Sequence, residues 1–348
     1  MVSNALESRR VAVILPVYNV ATYLPECLNS LLQQTYSKFK VFAVNDGSSD
    51  ESGKVLDEFA SLDARIRVIH KMNGGVSSAR NVALRSIEEE GGFDGVCFVD
   101  ADDCVDPDFL RVFVDNASLY AADCVVGGWR WFDRTGLLPN RKNEDHRPVV
   151  VDQVGMFEHF FGVGRFRELN SNSSSRFLAN RYFSAELLHG VRFDERMLRA
   201  EDQDFLLRTM LRVKRGVLIP RTIYLYRVRK SSLTHSGNYL LDDMRFSCSL
   251  LSCRDVFPKL IRGYLDLFAE RNWWACVRKV IQNDIFDDYK AETDAAYLLV
   301  RNIVPKSFQL RKRLFFYSLG EVFLKKFAFP KQRKSLHRQE VESRNAFD

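Results

Sequence analysis

Through the first hundred residues, continuous apolar runs alternate with apolar residues set at helical intervals. The run at 10–17, RVAVILPV, is followed by Leu24, Leu28, Leu31 and Leu32 on one helical face. A second strand is expected at KVFAVN (40–45), and the helix after it takes its apolar face from Val55, Leu56, Phe59 and Leu62. Ser48 and Glu51 have the spacing of a capping box for that helix. RIRVIH (65–70), VSSARNVALRSIEEE (76–90) and GVCFVD (95–100) continue the alternation. Strands that are apolar on both sides need cover on both sides, so an α/β architecture is expected, with a mostly parallel sheet flanked by helices.

The alternation loosens beyond Phe109. A helix at 107–118 and a strand at 124–127 precede a polar stretch, 133–148, that reads as a long loop. Helical spacing returns at 154–161, 183–188 and 205–213, and VLIPRTIYLYRV (217–228) reads as a strand. From residue 236 onward the pattern is almost wholly helical. The expected division is therefore 1–235 and a helical, basic region 236–348.

Composition narrows the classes. With 46% hydrophobic and 12% aromatic residues, the 348-residue chain can bury a large core. Its seven cysteines form no Cys-x-x-Cys pair, which points away from a zinc site or a disulfide framework and toward a reducing cytoplasm. No signal-peptide pattern opens the sequence, and no apolar run reaches 18 residues, so no membrane span is expected. Twelve Lys and Arg stand against four acidic residues from Arg301 onward, a surplus larger than the +6 of the whole chain. The rest of the chain is slightly acidic, which argues against nucleic acid as a partner of the main domain.

Four successive strand exits carry polar groups or glycine: PVYN (16–19), NDGSSD (45–50), NGGVSSARN (73–81) and DADD (100–103). In an open parallel sheet, ligands bind where such exits converge. Asp100 and Asp102 lie two apart, so their carboxylates share one side of an extended chain. A pair of carboxylates suits Mg²⁺ or Mn²⁺, with a diphosphate completing the shell. A solvated helix cap before Pro107 is the competing reading and accounts for Asp103 and Asp106. GSSDESGKV (47–55) fails as a phosphate-binding P-loop because its glycine spacing is one residue too long and Val55 replaces the hydroxyl residue. GVGRFR (162–167) lacks the third glycine of a dinucleotide site.

VAVILPVYN, VNDGSSD, NGGVSSARN and FVDADD, in this order and spacing, resemble the family 2 glycosyltransferases of GT-A fold over residues 1–235. The resemblance implies nucleotide-sugar binding within 8–130 and an acceptor side within 131–235. Pro16, Val17, Tyr18 and Asn19 would flank the nucleobase, with Asp46, Gly47 and Ser48 at the uracil or ribose. Asn73, Gly75, Arg80, Asp100 and Ala101 would line the donor side. Asp102 and Asp100 would hold the metal. RAEDQDF (199–205) resembles the family's Glu-Asp motif, with Ala200 where Gly is usual. Asp202 would then be the general base, with Glu201 beside it. The competing account is that Glu201, Asp202 and Asp204 simply load the first turn of a helix, where negative charge is favourable. In YRVRKSSLTHS (226–236), Arg227 and Arg229 would meet the diphosphate and His235 would be a third metal ligand.

The implied activity is inverting, non-processive and metal-dependent hexosyl or N-acetylhexosaminyl transfer from a UDP-sugar to a glycan or lipid-linked acceptor. Two rivals stay open, a nucleotidyltransferase and a non-catalytic, membrane-docked nucleotide-binding protein. The basic C-terminal segments, which interleave Phe and Leu with Lys and Arg, fit either a peripheral contact with the anionic inner face of the cell membrane or a helical cap on the catalytic domain.

Overall fold

A computed structural model describes residues 9–133, 136–137, 147–162, 176–197 and 200–228. In the C-terminal portion it describes 246, 251, 254–257, 259–282, 293–294, 297–298, 300–301 and 317. The chain divides into two compact units, Met1–Gly237 and Asn238–Asp348.

The first unit is built on one sheet. β1 (Val11–Val17), β2 (Phe39–Asp46), β3 (Ile66–Lys71) and β4 (Gly95–Phe98) run parallel in the spatial order β3-β2-β1-β4. β1 lies in the middle with every residue but Pro16 buried, as its unbroken apolar run requires. α1 (Leu24–Leu32), α2 (Ser52–Leu62) and α3 (Val76–Glu90) connect these strands. Leu24, Cys27, Leu28 and Leu31 give α1 its buried stripe.

Beyond β4 the sheet turns mixed. β5 (Cys104–Val105) and α4 (Phe109–Leu119) lead into β6 (Cys124–Asp133), which forms a short antiparallel pair with β7 (Gly136–Leu137). β8 (Val149–Val151), α5 (Gln153–Phe161), β9 (Arg181–Ser184), α6 (Ala185–Leu188), α7 (Glu201–Met210) and β10 (Gly216–Arg227) complete the unit. β9 is antiparallel to both β4 and β6, whereas β6 and β10 are parallel. The first hundred residues thus form the parallel sheet expected of them, and the antiparallel pairs come in beyond β4.

Three local expectations are corrected. No capping box forms at Ser48, because α2 starts at Ser52 and its N-cap, Glu51, makes no side-chain cap bond. Ser48 instead donates its N–H to Asn45 Oδ1 at 3.0 Å and accepts from the Asn19 N–H at 3.1 Å. Leu62 is 84% exposed and so lies off the buried face of its helix. Residues 183–188 are the end of β9 followed by one helical turn, capped where Ser184 Oγ accepts from the Leu187 N–H.

In the second unit, α8 (Lys259–Gln282) buries Trp273 against Tyr317, with ring centroids 5.4 Å apart. Arg254 and Asp266 pair through two bonds of 2.6 and 2.7 Å. Among the described residues, no helix is long and apolar enough to cross a membrane. All of the basic positions after Arg301 lie outside the described residues.

The strand order creates the site. The chain steps outward from β1 to β2 and β3, then resumes at β4 on the other flank of β1. At that reversal, the loops leaving the parallel neighbours β1 and β4 emerge at the carboxyl ends of both strands, which is where open α/β sheets bind ligands. Tyr18 and Asn19 follow β1, and Asp100 to Asp103 follow β4.

Candidate active site

The exits of β1 and β2 are tied together by side chains that substitute for missing backbone partners. Asn19, at φ 50°, accepts from the Ser49 N–H through Oδ1 at 2.8 Å. Asp50 accepts from the N–H groups of Ala21 and Ser52, both at 3.0 Å. Burial alone would raise its pKa, but these bonds outweigh it and hold the carboxyl below the ordinary value. Tyr18 projects outward, 52% exposed. Asn45 is buried; its Nδ2 donates to His70 Nδ1 at 3.0 Å, and His70 Nε2 then donates to Asp57 at 3.0 Å.

Asp46 is also buried, and both of its oxygens are engaged. Oδ1 accepts from Lys71 Nζ at 2.5 Å and from the Gly74 N–H at 3.0 Å, while Oδ2 accepts from the Gly75 N–H at 2.8 Å. The carboxylate thus satisfies N–H groups at the start of α3, where negative charge is favourable. Two glycines permit this approach. Gly75 sits at φ 86°, and a Cβ on Gly47 (φ 69°) would stand 2.6 Å from the backbone nitrogen of Asn73. Asn73 closes the turn by donating Nδ2 to the Asp46 carbonyl at 2.9 Å.

Arg80, on α3, joins the acids that follow β4 to those that open α7. Its side chain is 7% exposed. One amino group donates to Asp100 Oδ1 at 3.1 Å and the other to Glu201 Oε1 at 2.9 Å. The Phe193 ring lies beneath the guanidinium, 5.3 Å away. Burial opposes the charge on Arg80, yet Asp100, Glu201 and Asp202 together raise its pKa.

Asp202 follows Glu201 in the first turn of α7, so the structure is compatible with helix loading as well as chemistry at this position. Its Oδ1 accepts from the Gln203 N–H at 2.8 Å. Burial and the neighbouring Glu201 charge push its carboxyl up to about 7, with Arg80 pulling the other way. A carboxyl poised there can exchange a proton near neutrality.

On the other side of Asp100, the acids are held from β10. Asp103 is 1% exposed and is not a helix cap, which corrects the solvated-cap reading for this residue. It accepts from the Tyr224 hydroxyl at 2.7 Å and from the Arg227 N–H at 2.8 Å. Burial, then Asp102 and Asp100, push its pKa well above the carboxylate range. The Tyr224 oxygen also accepts from the Asp100 N–H at 3.2 Å. The Arg227 guanidinium donates to the Asp102 carbonyl at 2.7 Å and to Glu26 at 2.6 Å, and lies 4.3 Å over the Phe132 ring. It therefore fixes the backbone that carries Asp102.

Asp100 and Asp102 both act on Asp103, so the three acids share one region. Asp100 remains 30% exposed with only Oδ1 engaged by Arg80. This oxygen-only donor set fits a hard divalent cation, although among the described residues no three acidic, His or Cys groups converge to hold one unaided. Donor phosphates would have to complete the shell. Arg229 and His235 lie outside the described residues. Pro16 and Val17 end β1, and Ala101 is buried between Asp100 and Asp102. The sequence reading missed Glu26, Lys71 and Tyr224. Tyr224 carried a signal in the IYLYR alternation, but Glu26 and Lys71 carried none.

Residues 12–191, just over half of the chain, match the family described as Glycosyl transferase family 2. The chain is 32% identical over 227 residues to glycosyltransferase GlyA of Streptococcus pneumoniae, a match covering 65% of this chain and 31% of GlyA. It is 33% identical over 229 residues to the uncharacterized glycosyltransferase EpsJ of Bacillus subtilis, covering 64% of this chain and 62% of EpsJ. The chain thus spans less than two thirds of either relative. Among solved structures, Staphylococcus aureus TarS 1–349 in complex with UDP-GlcNAc superposes with a TM-score of 0.64 at 19% identity, covering 85% of this chain and 82% of that one. A mannosyltransferase from Pyrobaculum calidifontis in complex with GDP-Man and Mn²⁺ gives a TM-score of 0.51 at 17% identity, covering 92% and 83%. The acids gathered at the strand exits and these likenesses agree, and the chain belongs to glycosyltransferase family 2.

Proposed function

We propose that this protein transfers a sugar, with inversion and without processivity, from a UDP-linked donor to a hydroxyl of a glycan or lipid-linked acceptor, Asp202 being the general base. The observation that carries the proposal is Asp202 itself, a carboxyl raised to about 7 and set one residue from Glu201, which Arg80 ties to Asp100. A carboxyl raised in this way is a stronger base than an ordinary aspartate and better able to draw a hydroxyl proton.

In the transfer, the acceptor oxygen forms its bond to the anomeric carbon on the face opposite the diphosphate. The hydroxyl proton passes to an oxygen of Asp202. The bond between the anomeric carbon and the diphosphate oxygen breaks, and that oxygen keeps the electron pair. Pro16, Val17 and Tyr18 bound the nucleobase end of the crevice, and Arg80 sets the charge balance between donor and base. Asp100 and Asp102 would hold Mn²⁺ or Mg²⁺, which neutralises charge on a departing diphosphate. The solved structures carrying UDP-GlcNAc or GDP-Man with Mn²⁺ support a nucleotide-sugar donor. The basic C-terminal region is proposed to keep the enzyme at an anionic membrane surface, where lipid-linked acceptors reside.

The test is Asp202→Asn, with UDP binding titrated in the presence of Mn²⁺ and UDP release measured with a panel of UDP-sugars. Binding is expected to be retained and turnover lost. Equal loss of both would reassign Asp202 to a structural role.

A further inference from the structure

Aromatic side chains accumulate on the far half of the sheet in a way the donor chemistry does not use. β6 and β10 run side by side with Tyr224 opposite Trp129 and Tyr226 opposite Trp131. Trp131 is 50% exposed, and its ring meets Trp129 edge-on with centroids 4.9 Å apart. Trp129 packs 6.0 Å from Tyr226 and 6.1 Å from Phe177. Phe177 in turn lies 5.1 Å from Tyr224, whose hydroxyl donates to Asp103 beside the donor-side acids.

The tract also reaches toward the base. The Phe177 carbonyl accepts from Arg181 Nε at 3.0 Å. The charge of Asp202 acts on both Arg181 and Arg176, the residue preceding Phe177. The aromatic tract is therefore joined at one end to the acids of the donor crevice and, through 176–181, to the proposed base. Its other end, Trp131, faces solvent.

We propose that Trp131, backed by Trp129, Tyr226 and Phe177, is a stacking subsite for a pyranose ring of the acceptor glycan. This rests on the transferase function proposed for the chain and names where its acceptor binds. A pyranose has an apolar face of axial C–H bonds and a rim of hydroxyls, and an indole offers it a flat apolar surface with a polar edge. Arg130 and Asp133 punctuate the same strand with one charge of each sign. One charge of each sign on the strand suits a neutral polyhydroxylated ring.

The experiment uses the full chain with saturating UDP and Mn²⁺. Saturation-transfer NMR is recorded with chito-, cello- and malto-oligosaccharides as probes, and UDP binding is followed separately by thermal shift. Saturation of ring C–H protons is expected for the wild type, with affinity about tenfold lower in Trp131→Ala and largely kept in Trp131→Tyr. UDP stabilisation should be the same in all three, which also shows that the variants fold. Absence of oligosaccharide binding to the wild type would overturn the subsite, as would equal binding by Trp131→Ala. So would loss, in that variant, of binding to phosphatidylglycerol vesicles in place of sugars. Failure of the wild type to bind UDP would overturn the donor site and leave the stacking result to be read independently.

Discussion

Arg80 donates to Glu201 at 2.9 Å across 121 residues of chain, and its other amino group holds Asp100. Removing the buried guanidinium would leave the two carboxylates without the cation that compensates them. Arg80→Ala should destabilise the protein by about 3–5 kcal/mol in urea unfolding. Arg80→Lys should cost less but still lose one of the two bonds, since an ammonium lacks the planar fork. Arg80→Ala should move the ionisation of Asp202 upward, because the Arg80 charge pulls it down.

Tyr224 connects the buried Asp103 to the backbone of Asp100. Tyr224→Phe removes the donor to Asp103 and the acceptor for the Asp100 N–H in one step. Unpaired groups at buried positions cost about 1–3 kcal/mol. Urea unfolding should register that loss, and Mn²⁺-dependent UDP affinity should fall because the backbone of Asp100 loses its support. Unchanged affinity would mean that the hydroxyl does not position the acids.

Glu90 ends α3 and collects three cations: Lys40 at 2.7 Å, Arg10 at 2.7 Å and Arg67 at 3.1 Å. Its bonds with Lys40 hold its carboxyl at about 2 against the opposing effect of burial, and Arg10 and Arg67 add to them. A depressed carboxyl stabilises the fold above its unfolded value, about 4.3, and loses that contribution as pH falls toward 2. Glu90→Gln should therefore be less stable than the wild type at pH 7, by about 1 kcal/mol after solvent screening. The difference should close between pH 4.5 and pH 2, as read from unfolding midpoints along that range.

The parallel half of the fold was legible because β1, β2 and β4 are buried on both faces and so appear as unbroken apolar runs. β9 gave no such signal. It has four residues, one of them the fully buried Arg181, and it pairs with strands whose partners lie more than 50 residues away in sequence. The acids at the strand exits were visible as residue types, but their connections were not. Neither the Arg80 link to Glu201 nor the burial of Asp103 leaves a local pattern. Ser48 was misread because its spacing to Glu51 mimics a capping box, while tertiary bonds to Asn19 and Asn45 determine its position.

The pH dependence of kcat at saturating donor and Mn²⁺ bears most directly on Asp202. Transfer should rise with pH to a plateau, with an inflection near 7, since only the ionised carboxylate can accept the hydroxyl proton. In Asp202→Asn the rate should fall by about 10²–10⁴-fold and the inflection should vanish. An Asn variant that transfers sugar at the wild-type rate, or keeps the same inflection, would contradict a general base at this position.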